Sequence, residues 1–557
     1  MSDAWQAVAD LLAAGGCELV AGVPADEPGL LDAADDHPGL TALVVRDQRV
    51  GACLVAGHAL LSGRPAVLAL TTGPAFTNAL AGLAEAASLC VPIVVVTTRV
   101  PDAERGRGAF QEVDQRALAA TFAKWHATVE RPEGVRWALR RAVAQAVNGR
   151  PGVTVVELAP ECLADRAGVG AERGERPLVR SRAVPAADEL ARAAALLAQA
   201  RRPVVVLGGG ARAAGAQAAA ARLADAFPAA YATTASGRGT FDEAHPLACG
   251  NVGLYATPPL DVLLDDADVV LVLGSQLEET MRMRWPRLAA AALVHVDCEP
   301  LVFGQAIEPA VALVGDAAAT CDALARLLAP LPRAADVEEW CARIAQARHA
   351  AAAEHAQPAF SERAACATLR ALADAFPDAV FVQENGLQDL WGYHHPVLRA
   401  GAGHAFVAPG EQTMMGFGIG AAIGAAVAAP ARTVVATCGD GALGMSLAAL
   451  PTAAACSGRL LLVMWDNGGL GWPRLGRAGA ERPRLTDFAT PPPAATAVQA
   501  LGGATFAVAS ERELTAAVAG AQAALADGRL ALLTVAAHAD ALPPAARDLT
   551  HPAAAAA

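Results

Sequence analysis

Lysine is nearly absent from this chain of 557 residues, because Lys124 is the only lysine among its 43 Lys and Arg residues. An enzyme that forms a Schiff base would depend on that one residue. The Gly-Lys-Ser/Thr sequence of a Walker phosphate loop is also missing. These absences argue against two widespread kinds of catalytic site.

The cysteine pattern and the charge restrict the chain further. Its 11 cysteines include no Cys-x-x-Cys pair, which predicts scattered reduced thiols and argues against a zinc site or a disulfide framework. A net charge of −13 excludes the basic surface typical of nucleic-acid binding. The amino terminus, Met-Ser-Asp-Ala-Trp, lacks the basic start of a signal peptide, so we expect a cytoplasmic protein.

One apolar stretch, residues 414–431, approaches the length of a membrane span. It consists mostly of Gly and Ala with few large side chains, a composition that predicts a tightly packed buried helix. We therefore expect neither a membrane nor a nucleic acid among the partners of this chain.

The chain is too long for one hydrophobic core and should form several domains. Apolar strand-like runs alternate with Ala-rich helical runs in three segments, a pattern that predicts α/β domains. We predict three doubly wound parallel-sheet domains at residues 1–165, 185–330 and 358–545, with a linker near 163–186 and a charged helix within 331–358. The predicted strands are 43–45, 66–70, 93–97, 153–158, 203–207, 229–233, 269–273, 293–296, 380–383, 433–437, 460–464 and 530–535.

Two motifs follow neighbouring predicted strands in the third segment. Gly439-Asp440-Gly441-Ala442 follows the strand at 433–437, and Asn467-Gly468-Gly469 follows the strand at 460–464. Open α/β sheets bind ligands at the carboxyl ends of their strands, and glycines allow backbone N–H groups to approach a phosphate. A carboxylate, an amide oxygen and a backbone carbonyl form an oxygen-only set that suits Mg²⁺.

The pair Gly439-Asp440-Gly441 and Asn467 resembles the thiamine-diphosphate fingerprint of the superfamily of acetolactate synthase, pyruvate decarboxylase and benzoylformate decarboxylase. The resemblance extends to segments 21–24, 71–78 and 416–424, and thus covers nearly the whole chain. Segment 108–115, Gly-Ala-Phe-Gln-Glu-Val-Asp-Gln, closely matches the acetolactate synthase-like branch. The resemblance implies pyrimidine-binding, central and diphosphate-binding domains in that order.

The resemblance also implies a role for each matching residue. Asp440, Asn467 and the carbonyl of Gly469 would hold Mg²⁺, Met415 would bend thiamine diphosphate, and the Thr413 carbonyl would accept a hydrogen bond from its amino group. The implied cofactor-binding positions are Pro24, Gln48, Thr72, Gly73, Asn78, Asn385, Gly386, Gln388, Thr413, Met415, Gly439, Asp440, Gly441, Ala442, Asn467, Gly469 and Leu470.

One catalytic position departs from the family. The family has Arg-His-Glu-Gln where this chain has Arg46-Asp47-Gln48-Arg49, so Gln48 stands where the glutamate is expected. If this segment continues a strand, Asp47 faces away from Gln48 and does not replace the missing acid. A glutamine can donate a hydrogen bond but cannot deliver a proton. Two hypotheses stay open: slower cofactor activation, or cofactor binding without catalysis.

The residues that would contact the substrate carry a weaker sequence signal than the cofactor motifs. Phe110 and Gln111 resemble the pair that contacts substrate in acetolactate synthases, and the His-His pair of pyruvate decarboxylases is missing there. Glu411 is the carboxylate that we would test first as an acid or base. Leu470 and Trp472 follow the magnesium asparagine and are expected to line the pocket.

Two further features are weaker. His394 and His395 follow Trp391 and could move protons, although a surface position is expected for them. Gly208-Gly-Gly210 after a strand leaves a dehydrogenase or an FAD site open, but the full dinucleotide fingerprint is missing.

The resemblance implies decarboxylation of a 2-keto acid and transfer of the acyl group to a small acceptor. A decarboxylase that releases an aldehyde and a cofactor-binding protein without turnover are the alternatives. The family's cofactor lies between the first block of one subunit and the third block of another. A homodimer or a dimer of dimers with the active site at the interface is therefore expected.

Overall fold

The computed structural model describes residues 3–164, 169, 180–332, 336–354, 360–401, 403–456, 459–477, 483–538, 541–543 and 546. Most of the predicted linker, namely residues 165–168 and 170–179, lies outside the described residues. The described chain contains three parallel six-stranded sheets, each built from one of the three sequence segments. The predicted class of three α/β parallel-sheet domains is therefore confirmed.

The first block forms a sheet with the strand order β2-β1-β3-β4-β6-β5. Alternate residues of β3 enter different hydrophobic clusters: Ala66 and Leu68 belong to one, and Val67 belongs to the other. Both faces of the sheet are thus covered, as a parallel sheet requires. Its elements are α1 Asp3–Ala14, β1 Leu19–Gly22, α2 Leu30–Asp35, β2 Thr41–Val44, α3 Gln48–Ser62, β3 Ala66–Leu70, α4 Pro74–Ser88, β4 Ile93–Thr98, α5 Gln115–Ala119, β5 Trp125–Val129, α6 Pro132–Val147 and β6 Val153–Leu158.

The central block has the strand order β12-β11-β10-β7-β8-β9. Read from the other edge, this is the order of a dinucleotide-binding sheet. Its elements are α7 Ala187–Ala198, β7 Pro203–Leu207, α8 Gly209–Ala213, α9 Gln217–Ala226, β8 Ala230–Thr233, β9 Ala248–Asn251, α10 Pro258–Asp265, β10 Val269–Leu273, α11 Glu279–Arg282, β11 Ala292–Asp297, β12 Val311–Val314 and α12 Ala317–Leu328.

The third block has the order β14-β13-β15-β16-β18-β17, which repeats the topology of the first block. The charged helix expected before it is α13 Val337–Glu354. The remaining elements are α14 Phe360–Ala375, β13 Val380–Val382, α15 Leu390–Tyr393, β14 Ala405–Val407, α16 Phe417–Ala428, β15 Val434–Gly439, α17 Asp440–Met445, α18 Leu450–Ala455, β16 Leu460–Asp466, α19 Gly471–Gly476, α20 Ala494–Ala500, β17 Ala504–Val508, α21 Glu511–Ala526 and β18 Ala531–Ala536.

Helices α3 and α16 join the first and third blocks, and their glycines allow the close contact. A Cβ at Gly57 would lie 2.1 Å from the carbonyl oxygen of Ala421, and a Cβ at Gly424 would lie 1.9 Å from that of Leu54. The apolar stretch at 414–431 thus contains a helix buried within the protein, as predicted. No helix in the described part of the chain is long and apolar enough to cross a membrane.

All 11 cysteines lie in the described residues, and none forms a disulfide bond. Seven of them are buried and only Cys298 is exposed. They therefore behave as small apolar core residues, which agrees with the prediction of scattered reduced thiols.

Candidate functional site

The two predicted metal-binding motifs meet at the carboxyl end of the third sheet. Strands β15 and β16 are neighbours, and Asp440 and Asn467 follow directly after them. The backbone N–H of Gly469 donates to Oδ2 of Asp440 at 3.0 Å and to Oδ1 of Asn467 at 3.2 Å. The structure therefore brings both side-chain oxygens to one point, as the sequence predicts.

The surroundings of Asp440 fit a divalent cation. Its side chain is 1% exposed, and no basic side chain pairs with it in the described part of the chain. Burial and the nearby Asp466 raise the pKa of this carboxyl. A buried carboxylate without a counter-charge is costly, and a bound Mg²⁺ would remove that cost. In the described residues, no group of three His, Cys, Asp or Glu side chains is placed to hold a metal ion. Asp440 is thus the one carboxylate at this point, and a metal ion here would need further oxygen ligands from Asn467 and Gly469.

These motifs line a cleft of about 710 Å³, a typical size for a small-molecule site. The opening beside Gly439 is free, because a Cβ there would meet no atom within 4 Å. All the third-block positions that the resemblance implies border this cleft, as does Trp472: they are Asn385, Gly386, Gln388, Thr413, Met415, Gly439, Asp440, Gly441, Ala442, Asn467, Gly469 and Leu470.

The side chains of Leu470 and Met415 both lie close to Gly441. A Cβ at Gly441 would be 2.9 Å from Cδ2 of Leu470 and 3.5 Å from Cε of Met415. A side chain at position 441 would therefore push Leu470 away from its present place at the border of the cleft.

The backbone before Met415 is held under strain. Thr413 has φ of +45°, which is unfavourable for a β-branched residue. Its carbonyl accepts a hydrogen bond from Nδ2 of Asn385 at 2.7 Å, and the carboxylate of Glu85 accepts from the N–H of Met414 at 2.8 Å. Strain of this kind persists where surrounding contacts enforce it, often at functional sites.

Two buried carboxyls in the cleft were missed by the sequence analysis. Burial raises the pKa of Glu384 to about 8 and that of Asp389 to about 7. Glu384 accepts hydrogen bonds from the backbone N–H groups of Asn385 and Gly418. Asp389 accepts a hydrogen bond from the side-chain Nε1 of Trp465. A carboxylate two residues after the end of strand β13 was the available signal for Glu384.

The predicted first-block residues form a second cluster, at the carboxyl ends of strands β2, β1 and β3. Asn78 donates from Nδ2 to Oε1 of Gln48 at 2.7 Å. Gly73 lies against Gln111, whose carbonyl oxygen would be 2.2 Å from a Cβ at Gly73. Thr72 follows β3 and forms a hydroxyl hydrogen bond with Thr98 at 3.0 Å. Gln111 has φ of +63°.

The expectation that Asp47 and Gln48 continue a strand is wrong. Strand β2 ends at Val44, and Gln48 is the first residue of helix α3. Asp47 is the N-cap of that helix, because its side chain accepts a hydrogen bond from the N–H of Arg49 at 2.8 Å. Asp47 therefore caps α3, and it also accepts a hydrogen bond at 3.2 Å from Nδ2 of Asn78, the same group that contacts Gln48. The prediction that Asp47 and Gln48 face apart is thus wrong.

The first-block cluster does not border the third-block cleft. In the described residues, the cleft contains no first-block side chain but includes Tyr255, Glu279 and Thr280 of the central block. The hydroxyl of Thr280 donates to Glu411, the predicted acid or base. Phe110 is 87% exposed, and Pro24 is exposed after β1. The structure thus assembles the predicted residues in two separate groups.

His394 and His395 were expected at the surface, and that expectation is wrong. They are 0% and 3% exposed and lie where the third block meets the central block. The N–H of His395 donates to Oγ1 of Thr257 at 2.9 Å. Their burial at a contact between blocks was not visible in the local sequence.

The central block gives no support to FAD. A Cβ at Gly208 would lie 2.2 Å from the carbonyl oxygen of Gly274, and a Cβ at Gly210 would lie 2.8 Å from its Cα. The glycines therefore serve the packing of two loops. The cavity that Gly210, Gly274 and Asp297 line measures about 260 Å³, which is below the range of about 300–1,000 Å³ typical of ligand sites.

Three family models match the chain. They are the N-terminal TPP binding domain of thiamine pyrophosphate enzymes at residues 3–118, the central domain at 190–324 and the C-terminal TPP binding domain at 385–535. These matches fall on the three sheets and include both residue clusters.

Three relatives that match over most of their length carry names of enzymes that act on keto acids or make acetolactate. The "Probable 2-ketoarginine decarboxylase" of Pseudomonas aeruginosa is 30% identical over 499 residues, which cover 87% of each chain. The "Probable acetolactate synthase large subunit" of Methanocaldococcus jannaschii is 28% identical over 479 residues, or 84% of this chain and 80% of the relative. The acetolactate synthase of Mycobacterium bovis is 28% identical over 493 residues, or 87% and 79%. The chain belongs to the thiamine pyrophosphate enzymes, in their acetolactate synthase-like branch.

Proposed function

We propose that this enzyme binds thiamine diphosphate with Mg²⁺, decarboxylates a 2-keto acid and transfers the acyl group to a small acceptor. The observation that carries the proposal is the meeting of buried Asp440 with Asn467 at the wall of the cleft. When bound, thiamine diphosphate supplies an electron sink for the loss of carbon dioxide. The protein's part is to hold the cofactor, exclude water and position protons.

The third block would hold the cofactor. Asp440, Asn467 and the carbonyl of Gly469 would bind Mg²⁺, which in turn binds the diphosphate. Met415 would support the cofactor between its two rings, and the Thr413 carbonyl would accept a hydrogen bond from the amino group. That carbonyl already accepts from Asn385, but its second lone pair allows another bond.

Gln48 would contact the pyrimidine ring as a hydrogen-bond donor. Asn78 donates to Oε1 of Gln48, so this oxygen is engaged and the Nε2 amide remains to donate. A donated neutral hydrogen bond orients the ring but supplies no proton. The intact metal and diphosphate motifs favour an active enzyme with slower cofactor activation over a protein without turnover.

A second copy of the chain would complete the active site. The first-block cluster and the cleft are separate within one chain, and Phe110 projects from the first block with 87% of its surface exposed. We therefore propose a homodimer or a dimer of dimers, in which Phe110 and Gln111 of one subunit contact substrate beside the cleft of another. The free cysteines support a cytoplasmic location.

Cofactor binding and product analysis test this function. Isothermal titration with thiamine diphosphate and Mg²⁺ should show saturable binding that Asp440→Asn weakens at least about a hundredfold, since one charged metal ligand is lost. The matched control is Asp527→Asn, which changes an exposed aspartate. Pyruvate with an aldehyde acceptor should then yield a carboligation product. Wild-type affinity in Asp440→Asn, or cofactor binding without any product from a panel of 2-keto acids, would contradict the proposal.

A simple decarboxylase acting on a cationic keto acid is the second candidate. The cleft edge carries the carboxylates of Glu279 and Glu411, and no Lys, Arg or His lines the cleft among the described residues. Burial and the neighbouring Glu278 and Glu279 raise the pKa of Glu411. This acidic edge would attract a guanidinium or ammonium group, and a relative carries the name of a 2-ketoarginine decarboxylase.

The two candidates differ in their preferred substrate and product. If the second is correct, a keto acid with a guanidinium side chain should give an aldehyde with a lower KM than pyruvate, and Glu411→Gln should raise that KM. Pyruvate should be unaffected by the same change. Equal KM values in the wild-type and Glu411→Gln enzymes would exclude recognition through Glu411.

A further inference from the structure

A second cavity lies where all three blocks meet, away from the candidate active site. It measures about 440 Å³ and shares no lining residue with the cleft described above. Its walls come from the carboxyl-terminal end of α3, the segment before β4, helix α8 and strand β14.

The charge of this cavity opposes that of the whole chain. The chain has 56 acidic and 43 basic Lys and Arg residues, yet no Asp or Glu lines the cavity among the described residues. Four arginines do so: Arg180, Arg212, Arg238 and Arg432. A concentration of one charge sign in a cavity favours a ligand of the opposite sign.

One of the four arginines is neutralised within the protein. Nε of Arg238 lies 3.1 Å from the carboxylate of Glu243, and both side chains are buried. Arg238 also stacks on Phe406 at 4.0 Å from the ring centre. Its role is therefore to join the central and third blocks.

Within the part of the chain that the structure describes, the other three arginines donate hydrogen bonds only to carbonyl oxygens. Arg212 donates to the carbonyl of Phe406 at 3.4 Å, and Arg180 donates to that of Ala213 at 3.1 Å. Arg432 donates to the carbonyls of residues 378, 379 and 403. An arginine has five N–H donors, so Arg180 and Arg212 retain most of theirs for another acceptor.

The Arg212 cation is costly where it stands. Burial lowers its pKa to about 10, and no neighbouring carboxylate opposes that effect. Such a charge is stabilised when a ligand brings the counter-charge. None of these three guanidinium groups pairs with a carboxylate of the described residues, which favours an anion of more than one charge. Their planar donor geometry matches phosphate oxygens.

We propose that this cavity binds a phosphate-bearing anion through Arg212 and Arg180, with Arg432 adding positive charge. The bound anion would contact residues from the central and third blocks beside the end of α3. It would thereby stabilise the relative placement of the three blocks. The proposal does not depend on the function proposed for the cleft.

Inorganic pyrophosphate is the probe. It is titrated calorimetrically into the full-length chain with EDTA present, so that magnesium-dependent binding at Asp440 does not contribute. We expect one saturable site per chain. Arg212→Gln should weaken binding at least about tenfold, the loss expected for one charge-assisted hydrogen bond. Arg512→Gln, an exposed arginine on α21, should leave it unchanged.

Arg180→Gln is the second variant, because Arg180 is exposed and its loss is well tolerated by the fold. It should also weaken binding, and circular dichroism verifies that each variant is folded. Titration with ADP distinguishes the source of the phosphate: tighter binding than pyrophosphate indicates an organic diphosphate, and equal binding indicates the free anion. No saturable binding of either probe, or wild-type affinity in folded Arg212→Gln and Arg180→Gln, overturns the proposal.

Discussion

At the scale of single residues, the glutamine at position 48 gives a prediction about cofactor activation. We predict that Gln48→Glu speeds exchange of the C2 proton of bound thiamine diphosphate. A charge-assisted hydrogen bond exceeds a neutral one by about 1–2 kcal/mol, or about five- to thirtyfold in rate. The measurement is hydrogen–deuterium exchange followed by NMR in the loaded protein.

The control for this prediction is Gln499→Glu, which makes the same change in a residue outside both clusters. It should leave C2 exchange unchanged. If Gln48→Glu exchanges no faster than the wild type while binding cofactor normally, Gln48 does not limit activation.

We predict that Glu384 and Asp389 make the stability of the protein depend on pH. Burial raises both pKa values, to about 8 and about 7, so the folded protein holds both protons at a pH where the unfolded chain has lost them. Their contribution to stability is complete below the ordinary pKa values near 4 and is lost as the pH rises through 7 and 8.

The free energy of unfolding should therefore fall between about pH 5 and pH 8. Glu384→Gln should flatten this dependence, because a glutamine has no proton to lose. Denaturant unfolding midpoints across this pH range provide the measurement, with Glu511→Gln as an exposed control. An equally steep fall in Glu384→Gln would show that other groups cause it.

The two metal-binding motifs of the cleft were more predictable than its two buried carboxyls, Glu384 and Asp389. Asp440 and Asn467 follow recognisable strands with glycines beside them, so their meeting could be expected from local sequence and parallel topology. The pKa of Glu384 depends on burial against helix α16, which is distant in sequence. Gln48 was misplaced on a strand because the aspartate before it, a favoured N-cap residue, was not recognised as the start of a helix.

At the scale of elements, interior strands were predicted well and edge strands poorly. Apolar runs such as Val269–Leu273 and Val153–Leu158 were found with the correct bounds. The missed strands were β5, β9, β12, β14 and β17, each at the edge of its sheet, together with the interior strand β1. An edge strand has one partner and carries a weaker apolar pattern, so its sequence gives less signal.

The contact between α3 and α16 gives the element-scale prediction. A Cβ at Gly57 would lie 2.1 Å from the carbonyl oxygen of Ala421, and backbone cannot move aside cheaply. We predict that Gly57→Ala destabilises the protein by about 1–3 kcal/mol, measured as a lower unfolding midpoint.

The matched control is Gly476→Ala at the end of α19, where a Cβ would meet no atom within 4 Å. It should leave the midpoint nearly unchanged. Equal midpoints for the two variants would show that α3 and α16 do not pack this closely in solution.

At the scale of the whole molecule, the separation of the two residue clusters predicts an active site shared between subunits. The first and third sheets have the same topology, and each presents its predicted residues at the carboxyl ends of its strands. One chain does not place both sets around the cleft. A symmetric dimer would form two complete active sites, each from the first block of one chain and the third block of its partner.

Mixed subunits test this arrangement. Gln48→Arg damages the first-block cluster by placing a long cation there, and Asp440→Asn damages the metal site. Each variant alone should show little C2 proton exchange. After the two are unfolded and refolded together, half of the dimers contain one of each, and one of their two sites is intact. About a quarter of the wild-type exchange should return. If the site lay within one chain, every site would carry a defect and mixing would restore nothing, so this outcome separates a shared site from an internal one.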